Sequence, residues 1–247
     1  MKYKALFLDV DGTTVVHGLE NLPSPRVTAA IKKASTRIPV CLVTGRSLVY
    51  VNNVIDHLSL SGFSILSGGP ILYDTAHKKV LHIDPFPTSA IPSVYAIVKK
   101  YHLTMQLENE QGGHEYDGIH KPKHVLSVYI KQIDPSIIDR IFFEFEKIPT
   151  IIPHKVPDWN TKYMSIGITS PQGTKLHGIV RIAEKLNLQR NELIGVGDSY
   201  NDFPLLMACG LKIAMGNAVP ELKAIADFIA PPVEEDGVAT VIEKFIL

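Results

Sequence analysis

Ala5-Leu6-Phe7-Leu8-Asp9-Val10-Asp11-Gly12-Thr13 opens with four apolar residues that run straight into a polar turn. An apolar run that stops in this way reads as a buried parallel strand. The chain beyond it alternates. Ser24 is placed to cap a helix from Pro25 to Ser35, Pro25 suits its first turn, and Val27, Ala30, Ile31 and Ala34 share one face. A second buried strand is expected over Ile38–Val43, a second helix over Ser47–Leu58 and a third strand over Phe63–Leu66. Strand, helix, strand, helix, strand in this order implies right-handed crossovers and a parallel sheet with helices on both faces.

From about Val80 to Ile168 the texture changes. Tyr, His and Pro increase, and strand-like stretches at Val125–Lys131 and Tyr163–Ile168 flank a helix-like stretch at Ser136–Lys147. This order suits an α+β module inserted into the first fold. Alternation resumes after Lys175, with helices over Lys175–Leu186 and Asn201–Ala208, strands over Leu193–Val196 and Leu211–Ala214, and a closing helix from about Val238. The expected fold is therefore α/β: a parallel-sheet core from residues 1–79 and 170–247, interrupted by an α+β domain over 80–169.

Composition narrows the function classes. The chain has 247 residues, 45% of them hydrophobic and 20% charged, enough for a large buried core. Lys plus Arg and Asp plus Glu both count 25, so the formal net charge is zero. That balance gives no basic footprint for nucleic acid or for an anionic membrane. Cys41 and Cys209 form neither a disulfide framework nor a metal spacing, and read as free thiols of a reducing compartment. The apolar run before Asp9 is too short for a signal segment and no run reaches membrane-spanning length. A soluble cytoplasmic protein is expected.

Four short motifs carry chemistry. Asp9 and Asp11 lie beyond the carboxyl end of the first strand, where open α/β sheets bind ligands. Strand alternation sends residues i and i+2 to one side, so the two carboxylates can converge on one substrate. One carboxylate can attack phosphorus while the second protonates the leaving oxygen and later activates water. Gly12 allows a sharp turn and a close backbone approach to phosphate. A plain surface turn also uses Asp and Gly, whereas a calcium loop is excluded because Gly12 follows Asp11 immediately. Thr44-Gly45-Arg46, at the end of the second strand, offers a hydroxyl and backbone N–H groups to an anion. Taken alone it is equally a helix start with a Thr cap. Lys175 opens a helix, and a fixed ammonium there would offset charge on phosphate and on Asp9.

The fourth motif is Gly197-Asp198-Ser199-Tyr200-Asn201-Asp202. Magnesium takes hard oxygen ligands, and Asp198 beside Asp9 would supply them, with Asp202 one turn on to order bound water. Clustered carboxylates repel one another unless a cation sits among them. Gly195-Val196-Gly197 lacks the third glycine of a dinucleotide loop, and Asp198 would repel a pyrophosphate.

Together, in this order, the motifs resemble those of the haloacid dehalogenase superfamily phosphatases. The segment between the second and third motifs is similar to the type IIB α+β cap of the Cof-type subfamily. Met215-Gly216-Asn217-Ala218 and Glu235-Asp236-Gly237-Val238 resemble that subfamily's C-terminal half. The resemblance implies a Rossmann-like core with a mobile cap, a Mg2+ cofactor and a small phosphorylated metabolite as substrate. It makes Asp9 nucleophile and metal ligand, and Asp11 general acid/base with its backbone carbonyl on the metal. Thr44, Gly45 and Lys175, with Gly12, would hold the phosphoryl group. Asp198 would bind metal, Asp202 would support its water shell, and Asn201 would contact phosphate or substrate.

The sequence departs from the family pattern at Gly68-Gly69-Pro70, where the subfamily has Asn-Gly-Ala, and at Leu176-His177-Gly178, where a Gly directly follows the lysine. Specificity is expected in the cap, with Glu108, His114, His120, Lys121, His124, His154, Lys155, Asp158 and Trp159 as candidates. A phosphomutase could share core and cap, and a noncatalytic phosphate-binding module is a rival of another class. A monomer or homodimer is expected.

Overall fold

The computed structural model describes residues 2–120, 122–158, 160 and 162–247. Strand β1 (Ala5–Leu8) is wholly buried and is an interior strand of the main sheet. Helix α1 (Pro25–Ser35) begins as its sequence dictates: the Ser24 hydroxyl accepts from the Val27 N–H, Pro25 enters the first turn, and Val27, Ala30, Ile31 and Ala34 are buried. Strand β2 (Val40–Leu42), helix α2 (Leu48–Leu58) and strand β3 (Phe63–Leu66) follow.

The third strand departs from the expected parallel winding. One parallel bridge, Val43 to Ile65, sets β3 beside β2, but its ladder runs antiparallel to β4 (Ile71–Asp74), which pairs in turn with β5 (Lys79–Ile83). The cause is the turn at 67–70. Ser67, Gly68 and Gly69 all take positive φ, which reverses the chain before a crossover helix can form.

The middle of the chain is a second layer. Helix α3 (Ile91–Lys100), strands β6 (Met105–Asn109), β7 (Gly112–Glu115) and β8 (Ser127–Ile133), helix α4 (Ile138–Glu146), and strands β9 (Ile152–Pro157) and β10 (Met164–Thr169) occur in that order. Their sheet is antiparallel throughout, β7-β6-β8-β10-β9. Met105, Leu107, Val128, Ile130, Ile166 and Ile168 bury one face against a hydrophobic cluster that includes Val94 and Val98 of α3 and Ile141 and Phe145 of α4. Because side chains alternate along a strand, the residues between them turn to the opposite face: Gln106, Glu108, Tyr129, Lys131 and Ser165. That face is polar.

The chain then returns to the first sheet through α5 (Lys175–Lys185), β11 (Leu193–Gly197), α6 (Phe203–Ala208), β12 (Leu211–Ala214), α7 (Pro220–Ala224), β13 (Phe228–Ile229) and α8 (Gly237–Phe245). The main sheet is parallel in every pairing, β13-β12-β11-β1-β2. Its core includes Phe7, Leu42, Ile65, Ile194 and Val241, a cluster separate from that of the middle layer. Among the described residues no helix is long and apolar enough to cross a membrane.

Candidate active site

Register brings the motifs together. β1 lies between β2 and β11, with Leu8 level with both Leu42 and Val196. One residue past Leu8 is Asp9; two past Leu42 and Val196 are Thr44 and Asp198. Three adjacent parallel strands thus end on the same edge, with their functional residues emerging side by side.

Ligand oxygens of Asp9, Asp198 and Asp202 lie within 4.8 Å of one another, and all three residues are buried. Lys175 reaches them from the start of α5, where Thr174 caps the helix by accepting from the His177 N–H. Its Nζ donates to Asp9 Oδ1 and to Asp202 Oδ1, both at 2.6 Å. Asp202 Oδ2 accepts from the backbone N–H groups of Asp198 and Ser199 at 3.0 Å, which closes the fourth motif into a rigid turn. Asp198 Oδ1 accepts from Thr13 Oγ1 at 2.8 Å. Asp9 Oδ2 has no hydrogen-bond partner among the described residues.

Charge in this cluster is unbalanced: three buried carboxylates face one ammonium. Burial raises Asp9 to about 7, with Asp202 adding to the rise and Lys175 opposing it. Asp198 is raised by burial, then by Asp202 and Asp9. Burial pulls Lys175 down, but Asp202 and Asp9 outweigh it and hold the ammonium well above its usual range. The two uncompensated negative charges, all on hard oxygens, match what a divalent magnesium ion would neutralise. The donor set fits that ion.

Asp11 lines the same cavity as Asp9 but has different partners. Its carboxylate is gripped by the Arg46 guanidinium, Nε to Oδ2 at 2.8 Å and Nη2 to Oδ1 at 2.6 Å. Thr44 Oγ1 accepts from the Arg46 N–H at 3.0 Å, leaving its own proton to donate. Gly12 takes φ +80°, and a Cβ there would overlap Asp198 Oδ2, so the close fit of the first motif against the fourth requires a residue without a side chain here. Asn217 Nδ2 donates to the Gly12 carbonyl at 2.8 Å, and Ser24 Oγ to Asp236 Oδ1 at 2.6 Å. The two C-terminal segments singled out in the sequence thus brace the first motif and α1.

Above the carboxylates is a cavity of about 330 Å³. Asp9, Asp11, Thr44, Gly45 and Asn201 line its core side; Gln106, Glu108, Tyr129, Lys131, Asp158 and Ser165 line the other. Burial raises Glu108 to about 7, against the opposing effects of Lys131 and Ser127. Tyr129 spans both layers, donating from its hydroxyl to the Gly45 carbonyl at 3.2 Å.

Of the cap candidates, Glu108 and Asp158 line this cavity, and His154 lines a smaller one beside Lys175. His114, His120 and His124 are exposed and line neither; His120 pairs with Asp117 at 2.6 Å. Lys155 pairs with Asp139. Lys121 and Trp159 lie outside the described residues. Sequence reasoning missed Tyr129, although the alternation Ser127, Tyr129, Lys131 against Val128, Ile130 marks which of these side chains leave the core. Gly68 is favoured by its backbone, at φ +85°, and not by crowding, since a Cβ there would meet Thr169 and the Tyr129 hydroxyl at ordinary contact distances of 3.6 and 3.7 Å.

A family model described as haloacid dehalogenase-like hydrolase matches residues 6–242. The 5-amino-6-(5-phospho-D-ribitylamino)uracil phosphatase YcsE of Bacillus subtilis is 26% identical over 251 residues, covering 99% of this chain and 96% of that protein. The phosphoglycolate phosphatase of Methanosarcina acetivorans is 27% identical over 254 residues, with 98% and 96% covered. Among solved structures, the HAD subclass IIB sugar phosphatase BT4131 superposes with a TM-score of 0.79 at 21% identity, covering 98% of each chain. The chain belongs to the haloacid dehalogenase-like hydrolases, as a Cof-type member. It is a phosphatase.

Proposed function

We propose that this phosphatase hydrolyses small phosphomonoesters, sugar phosphates among them, through an aspartyl-phosphate on Asp9. The observation that carries the reading is the meeting of Asp9, Asp198 and Asp202, from the two ends of the chain, within 4.8 Å and against one lysine. Asp9 Oδ2, the oxygen not held by Lys175, attacks phosphorus as the bond to the leaving oxygen breaks. Asp11 is the general acid/base: in its protonated form it protonates that oxygen, and as the carboxylate it takes a proton from the water that attacks phosphorus and frees Asp9. Thr44, the Gly45 backbone, Lys175 and Asn201 hold the phosphoryl oxygens, and Gly12 lets the backbone approach them. Asp9, Asp198 and the Asp11 carbonyl would hold magnesium, with Asp202 in support; when bound, the ion supplies charge neutralisation for the phosphoryl group.

On this reading residues 1–79 and 170–247 are the catalytic core and 80–169 the specificity cap. The separate hydrophobic clusters of the two layers support the division. The cap contributes amide, hydroxyl, carboxylate and ammonium groups to the cavity wall, a mixture suited to a hydroxylated leaving group rather than an apolar one. The substrate is then a small phosphorylated metabolite of the cytoplasm.

A panel of phosphomonoesters assayed with magnesium and with chelator tests the reading. Release of inorganic phosphate from sugar phosphates, abolished by chelator and restored by magnesium, is expected. No release from any ester, or release indifferent to chelator, would contradict it.

A further inference from the structure

A small cavity of about 20 Å³ lies between the layers, beside the larger one. Lys175, Asn201 and Gly45 line it from the core, and His154, Thr169 and Tyr129 from the cap. Two polar atoms on its cap wall, His154 Nε2 and Thr169 Oγ1, are fully enclosed and have no hydrogen-bond partner among the described residues. His154 as a whole is only partly buried, so it is the ring nitrogen, not the residue, that is shut in. An enclosed polar atom without a partner costs about 1–3 kcal/mol, and two of them on one wall mark a place where a polar atom is meant to sit.

The surroundings say what kind of atom. Lys175 has three N–H groups and uses two, on Asp9 and Asp202; the cavity is on its flank. The Asn201 amide has no hydrogen-bond partner among the described residues. The Thr169 hydroxyl can donate, and the imidazole can donate through Nε2. Burial, then Lys175, lowers His154 to about 4, so it enters as a neutral ring that adds no second cation beside the ammonium. A space the size of one oxygen, walled by donors and one positive charge, accepts an anionic oxygen.

We propose that His154 and Thr169 are substrate-binding residues contributed by the cap, donating to one phosphoryl oxygen lodged between them and Lys175. This rests on the phosphatase reading above. It adds that the phosphoryl group is held by both layers, so the cap recognises the phosphate as well as the leaving group. β9 and β10 place the two side chains through their pairing, in which Gly167 faces His154 and Thr169 faces Ile152. Gly167 leaves room for Tyr129, which a Cβ there would approach to 3.1 Å.

The test uses p-nitrophenyl phosphate as substrate and inorganic phosphate as competitive inhibitor, on the full chain and on His154→Ala, His154→Gln and Thr169→Val. Loss of one hydrogen bond to a charged group is expected to raise the phosphate Ki and KM of His154→Ala about tenfold. His154→Gln, which restores an N–H at similar reach, recovers most of that loss. Thr169→Val, which keeps the volume, raises both constants about threefold. Unchanged phosphate Ki in His154→Ala and Thr169→Val, in enzymes of normal turnover, would overturn the proposal and leave the cavity as a water site. A wild-type chain that neither turns over nor is inhibited by phosphate would instead overturn the phosphatase reading, and this proposal with it.

Discussion

Arg46 holds Asp11 in a two-pronged grip through Nε and Nη2, while Nη1 donates to the carbonyls of Leu19 and Tyr50 and Nη2 also to that of Gly18, at 3.0–3.1 Å. One buried guanidinium thus ties the second carboxylate of the first motif to the loop after it and to α2. Arg46→Ala is expected to lower kcat by roughly 10–100-fold, the range of a misplaced general acid/base, with a smaller change in KM. Arg46→Lys should recover little, because a single ammonium cannot reproduce the fork. Steady-state kinetics check this; wild-type kcat in Arg46→Ala would remove Arg46 from the account.

Gly12 leaves no room for a side chain between the first motif and Asp198 of the fourth. At φ +80° a side chain is strained, and its Cβ would lie 2.8 Å from Asp198 Cγ as well as overlapping Oδ2. Gly12→Ala should therefore cost about 1–3 kcal/mol in stability. It should also raise the magnesium concentration needed for half-maximal activity about tenfold or more by displacing Asp198. A metal titration unchanged from wild type would show that the contact does not position that carboxylate.

Lys175 is the only cation against three buried carboxylates among the described residues of the cluster. Removing one partner of a buried ion pair costs about 3–5 kcal/mol, so Lys175→Met should melt about 10 °C below wild type. Magnesium should raise its melting temperature more than it raises that of wild type, since the ion then meets greater excess charge. Thermal melts with and without the metal measure both. A melting temperature unaffected by the substitution would mean the cluster does not carry the charge described.

Glu108 gives a pH signature outside the catalytic cluster. Burial raises it to about 7, and the charged or titratable groups facing it are Lys131 and Tyr129. A carboxyl raised on folding binds its proton more tightly in the folded state, so its contribution is present below its unfolded value near 4.5 and is lost as pH climbs to about 7. Glu108→Gln removes that loss. Discounted for partial exposure to about 1 kcal/mol, the variant should melt about 2–4 °C higher than wild type at pH 8, and by no such margin at pH 4. Parallel melting curves across pH 4–8 would contradict the assignment.

Much of the core could be read from the chain because its signals are local. Ser24, Pro25 and the face of Val27, Ala30, Ile31 and Ala34 form α1 without help from distant residues. The apolar run before Asp9 is β1 because a strand buried on both faces needs no alternation. The placement of the four motifs is legible for a related reason: each sits at a strand end or helix start, where geometry demands few residue types. The antiparallel turn at β3 was not, since it depends on three successive positive φ angles that include Ser67, an ordinary residue in an unusual conformation. Strands β6 and β9 carry Gln106, Glu108 and His154 on a face that meets the first layer only in three dimensions. So Tyr129 went unmarked, and His154 stood undistinguished among histidines that turn out to be exposed.

The central claim is a phosphoryl group carried by Asp9, and trapping it tests that claim most directly. p-Nitrophenolate leaves without needing a proton, so Asp11→Asn should still accept the phosphoryl group from p-nitrophenyl phosphate yet fail to activate the water that removes it. Acid quench of that variant with magnesium present, then borohydride reduction and peptide mapping, should find homoserine at position 9. Release of p-nitrophenol with Asp9 unmodified, or with the label on another residue, would contradict the account.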